Sequence, residues 1–168
     1  MRSLKREPIW LNKQEYQLIT KKTPIPTVNL VIIRQQIKQL EVLLLIRKTG
    51  YAKGGWCIIG GRIRKDESLK QAIDRHAGDL AVKVKIISPF APNFPAFIDD
   101  RNTQDETKHP ISMIYPAVII SGKIRNEGEE YKGYQWFPID QLPKIAYGQK
   151  LQIKKTIEKL NIGKNLYL

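Results

Sequence analysis

The chain has 168 residues, of which 42% are hydrophobic and 27% charged, so its composition fits one globular domain and excludes a disordered chain. No apolar run approaches the roughly 20 residues that cross a bilayer, and we expect a soluble cytoplasmic protein without a membrane span. A net charge of +13 favours anionic partners such as phosphates, nucleotides or nucleic acid. Because the lysines are spread along the chain, a solvated basic surface fits the charge as well.

The first half of the chain predicts an N-terminal arm followed by three strands. We expect a helix or arm within residues 1–27, with the helix at 9–22 ended by Pro24 and Pro26. β-branched and apolar residues predict strands at 28–34, 41–48 and 56–59, and the polar residues 35–39 fit a hairpin connection. Cys57 lies in the third strand, where we expect a small apolar core residue, since no neighbouring residue is placed as the base of a nucleophile.

The second half alternates a helix, strands and a closing helix. Apolar residues at three- and four-residue steps predict a helix at 67–80, which Asp66 can cap. Strands are predicted at 83–87, 111–124 and 134–137, with a long functional loop at 91–110 and an amphipathic helix at 151–160. This order of elements predicts an α+β sandwich, in one domain covering residues 1–168.

One motif carries most of the functional information. Gly61, Glu67 and Arg75 stand at the spacing of the glycine, glutamate and arginine of a Nudix box, preceded by a strand and a glycine pair. The segment 134–142, with Trp136, resembles the tryptophan strand and following turn of the same family. The chain therefore resembles Nudix proteins over residues 28–160. This resemblance implies a mixed β-sheet between α-helices, and it implies that Glu67 and Arg75 form a structural ion pair.

The metal-binding half of the box differs from the family pattern. His76 stands at the first metal-binding glutamate, Asp79 and Leu80 replace the glutamate pair, and Val82 replaces the closing glycine. Magnesium prefers hard oxygen ligands, so Asp79 is the one candidate that remains within the box. Two interpretations stay open for His76, packing or metal ligation. Asp79 likewise either binds metal or pairs with Arg75, four residues earlier.

Arg47, the strand with Trp56 and the segments 60–62 and 65–67 more closely resemble one branch of the family, the GDP-mannose mannosyl hydrolases. That resemblance implies that Arg47 and Arg62 contact a diphosphate, to which a guanidinium fork is well suited. It also places Asp99, Asp100 and His109 in a long substrate loop. His109 is either an exposed loop histidine or the replacement catalytic base, a role that suits the pKa of histidine.

The same branch implies a magnesium site, with manganese as an alternative metal. By position, its ligands would be Gly60, Asp79 and Glu130, although Glu129 and Glu130 also fit a solvated turn. Tyr131 stands where the branch has its general base, and a tyrosine is a poor base near neutral pH.

Three functions remain open. The first is a magnesium-dependent hydrolase of a nucleoside diphosphate linked to another group, a nucleotide sugar above all, with Asp79 and His109 as catalytic residues. The second is a nucleotide-binding protein without catalysis, favoured by the missing glutamates. The third is an RNA-binding or RNA-processing protein, suggested only by the net charge. A homodimer is compatible with each.

Overall fold

The computed structural model describes residues 11–37, 39–50, 52–88, 94–100, 108–125 and 127–160. Its helices are α1 (Lys13–Lys22), α2 (Leu69–Asp79) and α3 (Gln149–Lys159). Its strands are β1 (Ile25–Gln35), β2 (Leu40–Arg47), β3 (Trp56–Cys57), β4 (Ile59–Arg62), β5 (Val82–Ile86), β6 (Phe97–Asp99), β7 (Pro110–Gly122) and β8 (Tyr131–Pro138). Two short 3-10 turns, Ile139–Gln141 and Ala146–Gly148, lead into α3.

The strands form a mixed sheet with the order β3-β2-β1-β7-β5. Strands β1 and β7 pair in parallel, whereas β4 pairs with β1, β6 with β7 and β8 with β2 in antiparallel fashion. Alternate residues of β1 enter different apolar clusters: Leu30 and Ile32 pack with α2, and Val31 and Ile33 pack with α3. Since side chains alternate across a strand, helices lie on both faces of the sheet. The predicted α+β architecture, a mixed sheet between helices, is confirmed.

Several predicted boundaries change. The strand predicted at 56–59 is two strands, because β3 pairs with β2 and β4 pairs with β1 on either side of Ile58. The region predicted as a long loop contains β6, which pairs with β7, while residues 91–93 and 101–107 of that loop lie outside the described residues. Residues 9 and 10 of the predicted first helix also lie outside them, and α1 begins after its cap, Asn12.

Helix α2 begins later than predicted and has a different cap. Ser68 is the N-cap, and it exchanges hydrogen bonds with Gln71 in a capping box. Asp66 has a φ of 63°, which is left-handed, whereas an N-cap residue is extended. Asp66 therefore belongs to the turn before the helix.

Cys57 is a core residue, as expected. Its thiol lies near the carbonyl oxygen of Leu45, and burial raises its pKa to about 11 despite the nearby Arg47 guanidinium. A thiol that stays protonated is a poor nucleophile. In the described part of the chain, no helix is long and apolar enough to span a membrane.

Candidate active site

A cavity of about 590 Å³ opens where β1, β4 and β7 meet the N-terminal end of α3 and the C-terminal end of α2. Its charged side chains are six Arg or Lys against three Asp or Glu, so it favours anions. The cationic set is Arg47, Arg62, Arg64, Arg75, Lys108 and Arg125, and the acidic set is Asp79, Glu129 and Glu130.

The ion pair implied by the resemblance to the Nudix box forms beside this cavity. Arg75 Nε donates to Glu67 Oε1 at 2.7 Å, and Arg75 Nη2 donates to Glu67 Oε2 at 2.9 Å. Arg75 Nη2 also reaches the carbonyl oxygen of Arg62 at 3.0 Å, and the backbone N–H of Arg64 donates to Glu67 Oε2 at 2.8 Å. The pair therefore fixes the end of β4 at Arg62 and the segment that leads from it to α2, at the cavity wall.

Electrostatics agree with this geometry. Burial by itself raises the pKa of Glu67, but the hydrogen bonds from Arg75 and from the Arg64 backbone outweigh it and lower the pKa below its usual value. The hydrogen bond from Glu67 likewise raises the pKa of Arg75. Both side chains therefore carry full charge near neutral pH.

His76 and Leu80 occupy the inward positions at the end of α2. His76 is 6% exposed, and a Cβ added to Gly61 would lie 3.1 Å from its Cε1, so its ring packs against the box glycine. Its Nδ1 lies 3.5 Å from Asp79 Oδ2. Arg75, the other partner considered for Asp79, forms its ion pair with Glu67 instead. Leu80 is fully buried in the core. The structure thus places His76 in a packing position that also lines the cavity.

Tyr131 also stabilises the C-terminal end of α2. Its hydroxyl donates to the carbonyl oxygen of Asp79 at 2.7 Å, and burial raises its pKa above the usual tyrosine value. A buried phenol that donates to a carbonyl does not accept a proton from water near neutral pH. Tyr131 therefore holds the end of α2 and leaves the Asp79 carboxylate exposed at the cavity.

Arg47 lies at the cavity among three groups. Its guanidinium is 3.7 Å from Glu130, lies over the Tyr147 ring at 5.7 Å and donates weakly to the Thr49 carbonyl at 3.4 Å. Tyr147 itself has a φ of 58°, a left-handed conformation that bulky residues rarely adopt. Such backbone strain is concentrated at functional sites, and here it places an aromatic ring on the cavity wall.

Arg62 is held differently. Its guanidinium lies over the ring of Tyr16, from α1, at 5.3 Å, and among the described residues no carboxylate pairs with it. A cation without an acidic partner keeps its N–H groups available to an anionic ligand.

Three of the residues predicted for the substrate loop are not in the cavity lining. His109 is exposed, and one of its ring nitrogens lies 3.1 Å from the carbonyl oxygen of Asp100. Asp100 is exposed, and Asp99 is buried, where it accepts a hydrogen bond from Gln152 Nε2 at 2.8 Å. Arg47, Arg62, Gly60, Asp79 and Glu130, by contrast, all line the cavity.

The sequence did not reveal the neutral polar residues on one side of the cavity. They are Thr27, Asn29, Ser112, Gln149 and Gln152. One signal was available, because Asn29 interrupts the apolar strand β1 and is itself only 6% exposed. A buried amide needs hydrogen-bond partners, which indicates a polar site at that point of the strand.

The cavity has few of the side chains that ligate a divalent cation. Within the described ranges, no three His, Cys, Asp or Glu side chains converge as metal ligands. Asp79 and Glu130 nevertheless present exposed carboxylates to one cavity. Magnesium commonly binds one or two protein carboxylates and completes its shell with water and substrate phosphates, and this donor set fits that kind of site.

Several known proteins are similar to this chain. The chain is similar to an ADP-ribose pyrophosphatase of Methanocaldococcus jannaschii, 24% identical over 119 residues, which cover 70% of this chain and 66% of that protein, just under two thirds. The Nudix domain of Shewanella oneidensis NrtR, solved with ADP ribose, is 22% identical with a TM-score of 0.64, covering 89% of this chain and 99% of that one. A solved UDP-X diphosphatase is 20% identical with a TM-score of 0.66, and the match covers 94% of this chain and 75% of that one.

The solved structures, at 20% and 22% identity, share the fold of this chain. The family model described as NUDIX domain matches residues 23–159, which span β1 to α3 and hence every strand of the sheet. This chain belongs to the Nudix family.

Proposed function

We propose that the chain is a hydrolase of a nucleoside diphosphate linked to a second group, with nucleotide sugars as its substrate class and Mg²⁺ as its metal. The observation that carries the proposal is the cavity at the Nudix box, with its excess of cationic side chains. The names of two similar proteins support the substrate class, since ADP-ribose and UDP-X compounds both join a nucleoside diphosphate to another group.

In this proposal Arg47 and Arg62 hold the diphosphate. Arg62 has no acidic partner among the described residues, whereas Arg47 lies 3.7 Å from the exposed Glu130 carboxylate. A diphosphate with several charged oxygens outcompetes one exposed carboxylate for a guanidinium fork, because it offers bidentate acceptors.

Asp79, Glu130 and Gly60 are the residues that would hold the metal. A bound magnesium ion would neutralise charge on the leaving diphosphate. The Glu67–Arg75 pair keeps the loop after Gly60 in place, and Tyr131 fixes the end of α2 that carries Asp79. His109 remains the predicted base, although its side chain lies outside the cavity lining.

Turnover of a substrate panel tests the proposal. ADP-ribose, UDP-glucose and GDP-mannose are incubated with the protein in Mg²⁺ or in EDTA, and both phosphate released after phosphatase treatment and free sugar are measured. We expect magnesium-dependent turnover of at least one compound. Arg62→Ala should lower kcat/KM about 10- to 100-fold, as loss of a charge-assisted hydrogen bond does. Lys70→Ala, on the exposed face of α2, is the control and should have no effect.

A second function, nucleotide binding without catalysis, is favoured by one observation. His76 and Leu80 are both buried at positions where the resemblance places metal-binding glutamates. Under this alternative, ADP-ribose raises the melting temperature equally in Mg²⁺ and EDTA and no compound of the panel turns over. That combination would contradict the hydrolase proposal, and magnesium-dependent turnover would exclude the alternative.

A further inference from the structure

We propose that Asn29 and Gln149 form a subsite for sugar hydroxyl groups, and that Asp99 positions this subsite through Gln152. The inference rests on the proposed function, because it assigns the group to which the diphosphate is linked. It also gives the buried Asp99 a role other than direct contact with substrate.

The orientation of two amides follows from one carboxylate. Asp99 Oδ2 accepts from Gln152 Nε2 at 2.8 Å, and a carboxylate accepts hydrogen bonds but donates none. Gln152 must therefore turn its Oε1 the other way, where it accepts from Asn29 Nδ2 at 3.1 Å. The Asn29 amide is fixed in turn, and its Oδ1 remains as an acceptor.

Gln149 is oriented by the backbone. The N–H of Ile58 donates to Gln149 Oε1 at 2.9 Å, so Gln149 Nε2 remains as a donor. No hydrogen-bond partner within the described ranges reaches Nε2 or Asn29 Oδ1, yet neither atom is sealed from solvent. The buried unpartnered side-chain atom in the described part of the chain is the hydroxyl of Tyr115. Because Asn29 and Gln149 line the cavity and neither free atom is a buried, unpartnered one, we infer that both atoms face the cavity.

Close backbone packing brings Asn29 Oδ1 next to the box. A Cβ added at Gly60 would lie 2.3 Å from that oxygen, so only glycine allows the amide to occupy this place. The acceptor is thereby adjacent to β4, the strand that carries Arg62, which in our proposal holds the diphosphate.

The chemistry of these atoms selects a hydroxyl-bearing group. A hydroxyl both donates and accepts, so it can satisfy Asn29 Oδ1 as well as Gln149 Nε2. A phosphate only accepts, and it would be repelled by the Asn29 oxygen. The hydroxyls of Thr27 and Ser112, 2.8 Å apart on the same wall, share one hydrogen bond and retain one further donor. A polar, uncharged wall beside a cationic one therefore matches a sugar linked to a diphosphate.

Calorimetric titration tests the subsite by comparing each nucleotide sugar with its parent diphosphate. The pairs are ADP-ribose and ADP, UDP-glucose and UDP, and GDP-mannose and GDP, measured in EDTA and again in Ca²⁺. Each pair shares a base and a diphosphate, but the parent carries one more negative charge, so the change that a variant makes in the ratio of the two affinities isolates the sugar. We expect the wild-type protein to bind at least one sugar-bearing compound.

Two variants should reduce that ratio without changing the affinity for the parent diphosphate. Gln149→Met removes the free donor at nearly constant volume, and we expect a loss of about three- to tenfold, as for one neutral hydrogen bond. Asp99→Asn lets the amides of Gln152 and Asn29 adopt either orientation, and we expect the ratio to fall about twofold. Asp140→Asn, an exposed carboxylate outside the cavity, makes the same chemical change and should leave the ratio intact.

Each other outcome overturns the inference in a distinguishable way. If Gln149→Met weakens the binding of parent and sugar-bearing compounds equally, the Gln149 amide contacts the base or the diphosphate. The subsite is then wrong, and the proposed function survives alone. If Gln149→Met leaves every affinity unchanged, the subsite is wrong and the proposed function again survives alone. If the folded wild-type protein binds none of the six compounds, the proposed function fails together with the subsite. Thermal melts establish folding, and Gln149→Met alone decides the matter if Asp99→Asn does not fold.

Discussion

The Glu67–Arg75 pair should be the strongest single electrostatic contribution to stability among the described residues. Four hydrogen bonds join Glu67, Arg75 and the backbone between β4 and α2. The side chains are only 11% and 21% exposed. Arg75→Met removes the guanidinium at similar length and leaves the Glu67 carboxylate with one backbone donor.

The expected cost follows from this burial. Removing one partner of a fully buried pair costs about 3–5 kcal/mol, and partial exposure reduces this to about 2–4 kcal/mol for Arg75→Met. Glu67→Gln keeps some hydrogen bonds and should cost about 1–2 kcal/mol. The double variant should cost less than the sum of the two, with a coupling of about 1–3 kcal/mol. The exposed pair Lys70–Asp74 is the matched control, and Asp74→Asn should cost no more than about 0.5 kcal/mol.

Urea unfolding at two pH values gives a second readout. Because the folded-state pKa of Glu67 is lowered, its stabilisation is present above the unfolded value of about 4.3 and is lost as the pH falls through the folded value. The difference between wild type and Glu67→Gln should therefore be full at pH 7 and shrink below about pH 4. A Glu67→Gln cost no larger than that of Asp74→Asn, or one that does not change with pH, would refute the reasoning.

Three further changes probe the surroundings of the cavity. Gly60→Ala brings a Cβ within 2.4 Å of two oxygens and should lower the free energy of unfolding in urea by about 1–3 kcal/mol. The control, Gly78→Ala, lies in an open helical position and should stabilise the protein slightly. Equal effects of the two substitutions would contradict this account. Tyr131→Phe leaves the Asp79 carbonyl without its donor and should cost about 1 kcal/mol by the same measurement, and an unchanged stability would argue against that bond. Cys57, with its raised pKa, should react with a thiol reagent at pH 8 only as fast as the protein unfolds, and rapid labelling of the folded protein would exclude burial.

Features determined by local spacing could be predicted from the sequence. Seven residues separate Glu67 from Arg75, the spacing of the Nudix box, and the resemblance to that motif predicted the ion pair. The apolar stripe of α2 was also predicted, and Ala72, Ile73 and His76 are buried on it. Leu69 stands at the same three-residue spacing but is 38% exposed, since it is the first residue of the helix.

Features that depend on distant partners could not be predicted. Asn29 and Gln152 are 123 positions apart, and nothing local to either residue indicates the other. The division of residues 56–59 into two strands depends on which neighbour each half pairs with, and a short apolar run carries no information about that choice. The resemblance assigned Asp99 to substrate by position, whereas its burial and its bond to Gln152 are consequences of β6 pairing with β7.

The two halves of the Nudix box have separable physical roles in this chain. Glu67 and Arg75 bond to the backbone at Arg62 and Arg64, so they shape the cationic wall whether or not a metal is present. His76 fills the space beneath Gly61, where a larger wall residue would clash with its ring. The residues at the glutamate positions therefore change the available metal donors, while the cationic wall of the cavity stays in place. Affinity for a diphosphate should consequently depend on Arg75 through the position of Arg62, even under conditions in which no metal is bound.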